Sequence, residues 1–167
     1  MTDDVTRLKD ALDRIEAERA VERLIYSYGH ILDFDTADAY ADLFAPDGGI
    51  EIQSDFANNF GQDLPPAYVD QGLAIGGQRT EKGVVFRGRD VLKTFVAKTE
   101  AIRRFSHVVS QPLVTVTGPD TAEAQSYMRV YFQDVAGQPQ LQGFGRYTDS
   151  FVKIGDAWRI QLRICEI

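Results

Sequence analysis

Hydrophobic and polar positions divide the chain into a helical first part and a long alternating second part. Val5, Leu8, Leu12 and Ile15 recur three, four and three residues apart, which makes a narrow apolar seam on a helix. Such a seam suits packing on a sheet edge or on a second subunit, and is too short for a coiled coil. Asp3 with Arg7 and Asp10 with Arg14, each four apart, make the remaining face a solvated one. From Ala20 to Leu32 the stripe continues in a shifted phase, implying a bend or a second, more deeply packed helix. Its members Val21, Leu24, Ile25, Tyr28 and Leu32 place a phenol on the buried side, where its hydroxyl needs a partner. His30 falls opposite Val21 and is expected in solvent.

A break follows at Asp33 to Asp35. Asp33 either points into a cavity or caps the next helix, and Asp35 reads as the N-cap of a short helix burying Ala39, Tyr40, Leu43 and Phe44. Pro46, Asp47, Gly48 and Gly49 are expected to end that helix before a strand at Ile50 to Ile52. Residues 53–82 show no sustained period and read as a lid or binding loop, with Phe56, Phe60 and Tyr68 as an apolar underside; the middle stretch GGQRTEKG has little to bury and reads equally as disordered. A strand at Val84 to Phe86 leads through Gly88 into a helix whose Val91, Leu92, Phe95, Val96 and Ile102 face inward.

The rest alternates. Phe105, His107 and Val109 share a strand face, Pro112 marks a bulge or an edge, and Gly118 to Asp120 is a turn. Ala124, Ser126, Met128, Val130 and Phe132 oppose Tyr127, Arg129 and Tyr131, and Gly143, Gly145 and Tyr147 share the face of the next strand. Gly155 and Asp156 make a hairpin turn into a last strand on which Trp158, Ile160, Leu162 and Ile164 alternate with Arg159, Gln161, Arg163 and Cys165. Arg129, Arg146 and Arg163 either form surface ion pairs or line a pocket, and alternation does not say which sheet face is covered. Helices first and an antiparallel meander afterwards define an α+β fold, with helices covering one face of a strongly bent sheet.

Composition narrows the partners. A chain of 167 residues with 44% hydrophobic and 26% charged residues is expected to form one globular domain, residues 1–167, with room for a ligand cavity. No apolar run approaches the ~18 residues of a membrane span. The charged first twenty residues lack a signal-peptide core, and the single Cys165 excludes an internal disulfide, so a cytoplasmic location is expected. A net charge of −7 argues against nucleic acid and favours a small hydrophobic ligand. Two histidines without a shared spacing and no cysteine cluster point to no metal, and no glycine pattern has the setting of a nucleotide site, so no cofactor is expected.

Tyr28, Asp33 and Phe44, the run Ala45 to Gly48, and the segments FRGRDVL (86–92), SHVVSQPLVTV (106–116) and YTDSFVKIGDAWRI (147–160) resemble the SnoaL-like domains. These belong to the nuclear transport factor two-like superfamily, with scytalone dehydratase, bile acid dehydratase, ketosteroid isomerase and the small subunits of ring-hydroxylating dioxygenases. The resemblance covers nearly the whole chain and fits least over residues 53–82. It implies a cone-shaped α+β barrel, N-terminal helices on a strongly curved, mixed but mostly antiparallel sheet, with a pocket at the open end.

In the dehydratases that this sequence looks like, a tyrosine at Tyr28, an aspartate at Asp33 and a histidine at His107 converge on the substrate. Tyr40, Phe56, Tyr68, Val109, Met128 and Phe144 are expected to line the pocket. The scytalone dehydratase pattern has a second catalytic histidine; here the only histidines are His30 and His107. His107 has the chemistry to take and return a proton at neutral pH, with Asp33 orienting it; the alternative is a satisfied core histidine. Tyr28 either donates to a developing oxyanion or is a core tyrosine bonded to a carbonyl. The resemblance implies a cofactor-independent dehydratase for a small hydrophobic cyclic hydroxy-carbonyl compound. Its alternatives are an isomerase or cyclase in the same pocket, and a non-catalytic ligand-binding or assembly subunit. A homodimer or homotrimer is expected on the same ground.

Overall fold

The structure is a computed structural model that describes residues 2–54, 64–100, 105–134 and 136–167, without side-chain detail at residues 2 and 98–100. Among the described residues four helices and seven strands follow one another as α1 (Thr2–Phe34), α2 (Ala37–Ala41), β1 (Phe44–Gln53), α3 (Pro66–Ala74), β2 (Gln78–Arg79), β3 (Gly83–Arg87), α4 (Arg89–Glu100), β4 (Phe105–Gly118), β5 (Thr121–Gln133), β6 (Pro139–Ile154) and β7 (Ala157–Glu166). The strands form one open mixed sheet in the order β2-β3-β1-β7-β6-β5-β4. Among the described residues only the β1–β7 pairing is parallel; the others are antiparallel. This is the α+β cone expected from helices that precede a meander: α1 crosses the inner face against β4, and α2 packs with α4 against β1.

The shift of apolar phase in α1 marks neither a second helix nor a break at Asp33. One helix runs to Phe34, exposed over its first half and buried at Val21, Ile25 and Tyr28 in its second. It stops because Thr36 takes an extended conformation (φ −88°, ψ 158°) and its hydroxyl accepts the Ala39 N–H at 3.2 Å. Thr36, not Asp35, is therefore the N-cap of α2; the Asp35 carboxylate accepts the Thr36 N–H at 2.8 Å instead. His30 is exposed, as its position opposite Val21 requires. The α1 seam does not pack on the sheet edge: Val5, Leu8, Leu12 and Ile15 are 53–71% exposed.

Two corrections come from irregular pairing. Phe44 is a strand residue rather than the end of a helix, and Pro46 to Gly49 lie inside β1 instead of terminating α2. Phe44 pairs with Ile160 and Gly49 with Leu162, so Ala45 to Gly48 bulge opposite the single residue Gln161. Gly48 is required there, since a Cβ would come within 2.6 Å of the Ile160 carbonyl. The Gln161 side chain closes the bulge by donating to Asp47 at 3.3 Å. On the β6 side Phe151 pairs with Ile160 and Ser150 with Leu162, which leaves Gln161 unpaired again. One extra residue reverses the phase of everything after it. Arg163 and Cys165 consequently face inward with Trp158 and Ile160, while Leu162 and Ile164 do not.

The described residues 64–82 hold more structure than their lack of period suggests. Helix α3 begins with proline at its first position and buries Val69 and Gly72, and β2 pairs with β3. Within the stretch GGQRTEKG, Thr80 donates to Glu51 at 2.6 Å and accepts the Gly83 N–H at 3.0 Å. Phe56, Phe60 and Ile102 lie outside the described residues. Pro112 sits at both of its expected settings, on the edge strand β4 and beside a register shift between Ser110 and Leu113, where Gln111 has φ +53°.

The approach of α1 to the edge strand turns on Gly29. A Cβ there would lie inside the van der Waals shell of the His107 carbonyl oxygen, so only glycine lets the helix come this near. Gly29→Ala is expected to lower stability by about 1–3 kcal/mol, the range for overpacking a filled contact. Urea unfolding measures it; a wild-type midpoint would show that the contact is slack.

Candidate functional site

Asp33 lies one helical turn beyond Gly29 on the face of α1 that meets β4. Its carboxylate accepts two hydrogen bonds from one residue: the backbone N–H of His107 at 2.7 Å and the ring Nδ1 of His107 at 2.5 Å. The Asp33 side chain is 4% exposed and that of His107 21%. An ionised carboxylate only accepts, so Nδ1 carries the proton in this pair, and Nε2 has no hydrogen-bond partner among the described residues. Of the two possibilities for Asp33, the structure takes the one in which it points at a partner rather than capping α2. Phe105 flanks the imidazole with ring centroids 6.4 Å apart.

Five residues before Asp33, Tyr28 turns into the core. Its hydroxyl lies 3.1 Å from that of Tyr40, with the rings 5.5 Å apart. Either hydroxyl can donate to the other, so the pair retains one further O–H. Burial pushes the Tyr28 phenol up to about 12, opposed by the cation of Arg163. Burial and the neighbouring Tyr28 hold Tyr40 well above the ordinary phenol range. Both phenols stay protonated at neutral pH and are available only as neutral donors or acceptors.

Beneath them lies a cluster that the strand pattern concealed. Arg163 is fully buried and makes two parallel bonds to Asp149, Nε to Oδ1 at 2.8 Å and Nη2 to Oδ2 at 2.6 Å. Its guanidinium lies between two rings, 4.0 Å from the Tyr28 centroid and 4.1 Å from that of Tyr147. Burial works against the Arg163 charge, but Asp149 outweighs it and raises the pKa further. Nη1 of Arg163 and Oγ of Ser126 are buried without a hydrogen-bond partner among the described residues. The signal in the sequence was Asp149 itself: it shares the strand phase of Tyr147 and Phe151, and a carboxylate in an apolar phase requires a buried partner.

The remaining expected residues divide. Met128 is buried on the inner face and pairs across to the half-buried Val109. Tyr68 on α3 is 39% exposed, yet burial still pushes its phenol up to about 12, in the field of Cys165 and Tyr28. Phe56 lies outside the described residues. Phe144 does not belong to the pocket: the inward phase of β6 is Gly145, Tyr147 and Asp149, so Phe144 faces outward opposite Arg129, 57% exposed. Cys165 is a buried free thiol whose pKa burial raises to about 12, which keeps it in the unreactive thiol form.

Among the described residues no three His, Cys, Asp or Glu side chains are grouped to hold a metal ion. A cleft of about 290 Å³ lined by Asp42, Phe44, Arg89 and Arg159 contains none of the candidate residues, and Arg89 there is already bound by Asp38 and Asp42.

The structure is thus an α+β cone with an aspartate–histidine pair at one end of its long helix and paired tyrosines buried in its core. The chain belongs to the SnoaL-like domain family, whose model matches residues 13–164. Among curated proteins, none matches the sequence. Solved structures similar in fold include a nuclear transport factor two-like protein with a cystatin-like fold from Novosphingobium aromaticivorans (21% identity, 100% of this chain and 89% of that one, TM-score 0.67). A candidate scytalone dehydratase from the same organism is 18% identical over 93% of this chain and 86% of its own, with a TM-score of 0.64. The β subunit of a candidate aromatic-ring-hydroxylating dioxygenase from that organism is 18% identical, covering 90% and 88% of the two chains, with a TM-score of 0.66.

The buried ion pair makes a stability prediction. Arg163→Met leaves Asp149 buried without its cation and is expected to cost about 3–5 kcal/mol, whereas Arg163→Met with Asp149→Leu recovers most of that loss. Chemical denaturation of both variants checks it; equal losses would mean that the ion pair does not act as a unit.

Proposed function

We propose that the chain, as one domain over residues 1–167, is a cofactor-independent dehydratase acting on a small hydrophobic cyclic hydroxy-carbonyl compound. The observation that carries this reading is the double acceptance by Asp33, which fixes both the ring and the backbone of His107 and leaves Nε2, which has no hydrogen-bond partner among the described residues, as the proposed base. In the proposed reaction Nε2 takes a proton from the carbon next to the carbonyl, and the electrons of that C–H bond form an enolate. The enolate then expels the β-hydroxyl, which takes the proton back from the imidazolium and departs as water, leaving an unsaturated carbonyl compound. Asp33 stabilises the imidazolium between these steps. The O–H of the Tyr28–Tyr40 pair that does not join the two hydroxyls is the proposed donor to the enolate oxygen.

Tyr40, Tyr68, Val109 and Met128 are the proposed apolar lining, and α3 the cover that keeps water from the reacting centre. A cytoplasmic location fits the free thiol of Cys165. Assembly as a homodimer or homotrimer fits the apolar side chains exposed on α1 and on the outer face of the sheet.

An isomerase or cyclase would use the same base and differ in its product. The fold likeness to a dioxygenase β subunit favours a second reading, a non-catalytic assembly subunit. The Asp33–His107 pair speaks against it, because a purely structural strand edge has no need of an oriented imidazole. The test is product mass after incubation with a panel of fused-ring β-hydroxy ketones. The expected result is loss of one water by the wild type, and a fall of about 100-fold or more in His107→Ala and Asp33→Asn. Full turnover by either variant would sink the mechanism, and a product of unchanged mass would assign an isomerase.

A further inference from the structure

Two glycines of β6, Gly143 and Gly145, stand in the inward phase of the strand, and only one of them has a steric reason to be glycine. A Cβ at Gly145 would strike the Glu166 carbonyl of β7. At Gly143 a Cβ would meet nothing within 4 Å among the described residues, and Gly143 is not one of the glycines with positive φ. The bulge beside it, where β5 passes from Val130 to Tyr131 while β6 passes from Gly143 to Leu141, therefore makes no conformational demand for glycine. Glycine weakens the interior of a strand and often marks a close approach by a ligand or another backbone. Here no other backbone comes near, and what the missing side chain leaves is room.

That room lies beside the candidate base. Gly143 pairs with Val130 and Val130 with His107, so the three form one row across β6, β5 and β4. All three are half-buried on the inner face, whereas Met128 and Gly145, the next inward residues of β5 and β6, are buried. The row is thus where the inner face opens. Along its other side Phe105 pairs with Phe132, their rings 5.5 Å apart, and Phe105 flanks the imidazole at 6.4 Å. Two strand spacings, about 10 Å, separate His107 from Gly143.

We infer that Gly143 sets the size of the substrate: its bare backbone is the floor of a subsite for the ring farthest from the reacting carbon. Val130 lies under the middle of the molecule, and Phe105 and Phe132 form its side wall. A single ring held at Nε2 of His107 does not reach across about 10 Å, whereas a planar compound of two or three fused rings does. Val130, Gly143, Phe105 and Phe132 offer that far ring no charged or polar side chain, so it is apolar. The inference rests on the proposed role of His107 as base and adds the fused-ring class to that reading.

Equilibrium dialysis of the full chain against fluorenone, a planar three-ring ketone, tests the subsite without turnover. The wild type is expected to bind it, Gly143→Ala to weaken binding about tenfold, the size of one methyl group in an apolar site, and Gly143→Leu to remove it. Urea unfolding of both variants is expected to give midpoints at or above the wild-type value, because an added Cβ displaces no described atom. No binding by the wild type, unchanged affinity in Gly143→Leu, or a lowered urea midpoint in Gly143→Ala would each overturn the inference. Turnover of fused-ring β-hydroxy ketones is read separately by product mass. Fluorenone binding without loss of water from those ketones would sink the dehydratase reading and leave the subsite standing. Loss of water that continues at full rate in Gly143→Leu would do the reverse.

Discussion

The close approach of α1 to the edge strand β4 sets the geometry of the whole candidate site. Gly29 permits it sterically, and Asp33, one turn on, fastens it by accepting both the backbone N–H and the ring N–H of His107. The two bonds do different things. The backbone bond satisfies a donor on an edge strand and fixes the helix end to the sheet; the ring bond selects a tautomer. A single carboxylate therefore joins packing to chemistry, and displacing the helix would weaken both together.

The same helix sets the Tyr28 ring against the Arg163 guanidinium in the core. There a cation sits between two tyrosine rings and is neutralised by Asp149, so the centre of the cone holds charge without net charge. Burying such a pair gains little stability compared with an apolar core, because desolvation offsets most of the attraction. What it does supply is a polar, rigid backing to the Tyr28–Tyr40 pair. The arrangement exists only because Gln161 is an extra residue in β7: without that bulge Arg163 would point to the outer face and Asp149 would be left alone inside.

How much was legible in the sequence follows from these features. Helical and alternating periods were enough for the α+β order, for the buried Tyr28 and for the exposed His30, since each depends on local phase. The pairing of Asp33 with His107 crosses more than seventy residues, and no periodicity reaches that far; the family resemblance pointed to it and the geometry shows the contact. Bulges were the main loss. Pro46 to Gly49 read as a helix stop because proline and glycine favour stops as readily as they favour a bulge, and Gln161 gives no local sign of being extra. Phe144 is expected in the pocket but lies in the phase opposite Gly145 and Tyr147, and alternation alone does not tell which phase faces inward. Helix α3 was hidden because only Val69 and Gly72 of its residues are buried.

The account stands on His107 being held with its proton on Nδ1 and its lone pair on Nε2. Long-range nitrogen-15 correlation spectra of the imidazole, recorded above the pH at which the ring is protonated, read this directly and need no substrate. The predicted result is a protonated Nδ1 and a bare Nε2 in the wild type, with that preference lost in Asp33→Asn. A ring protonated at Nε2, or one whose tautomer is indifferent to Asp33, would contradict it.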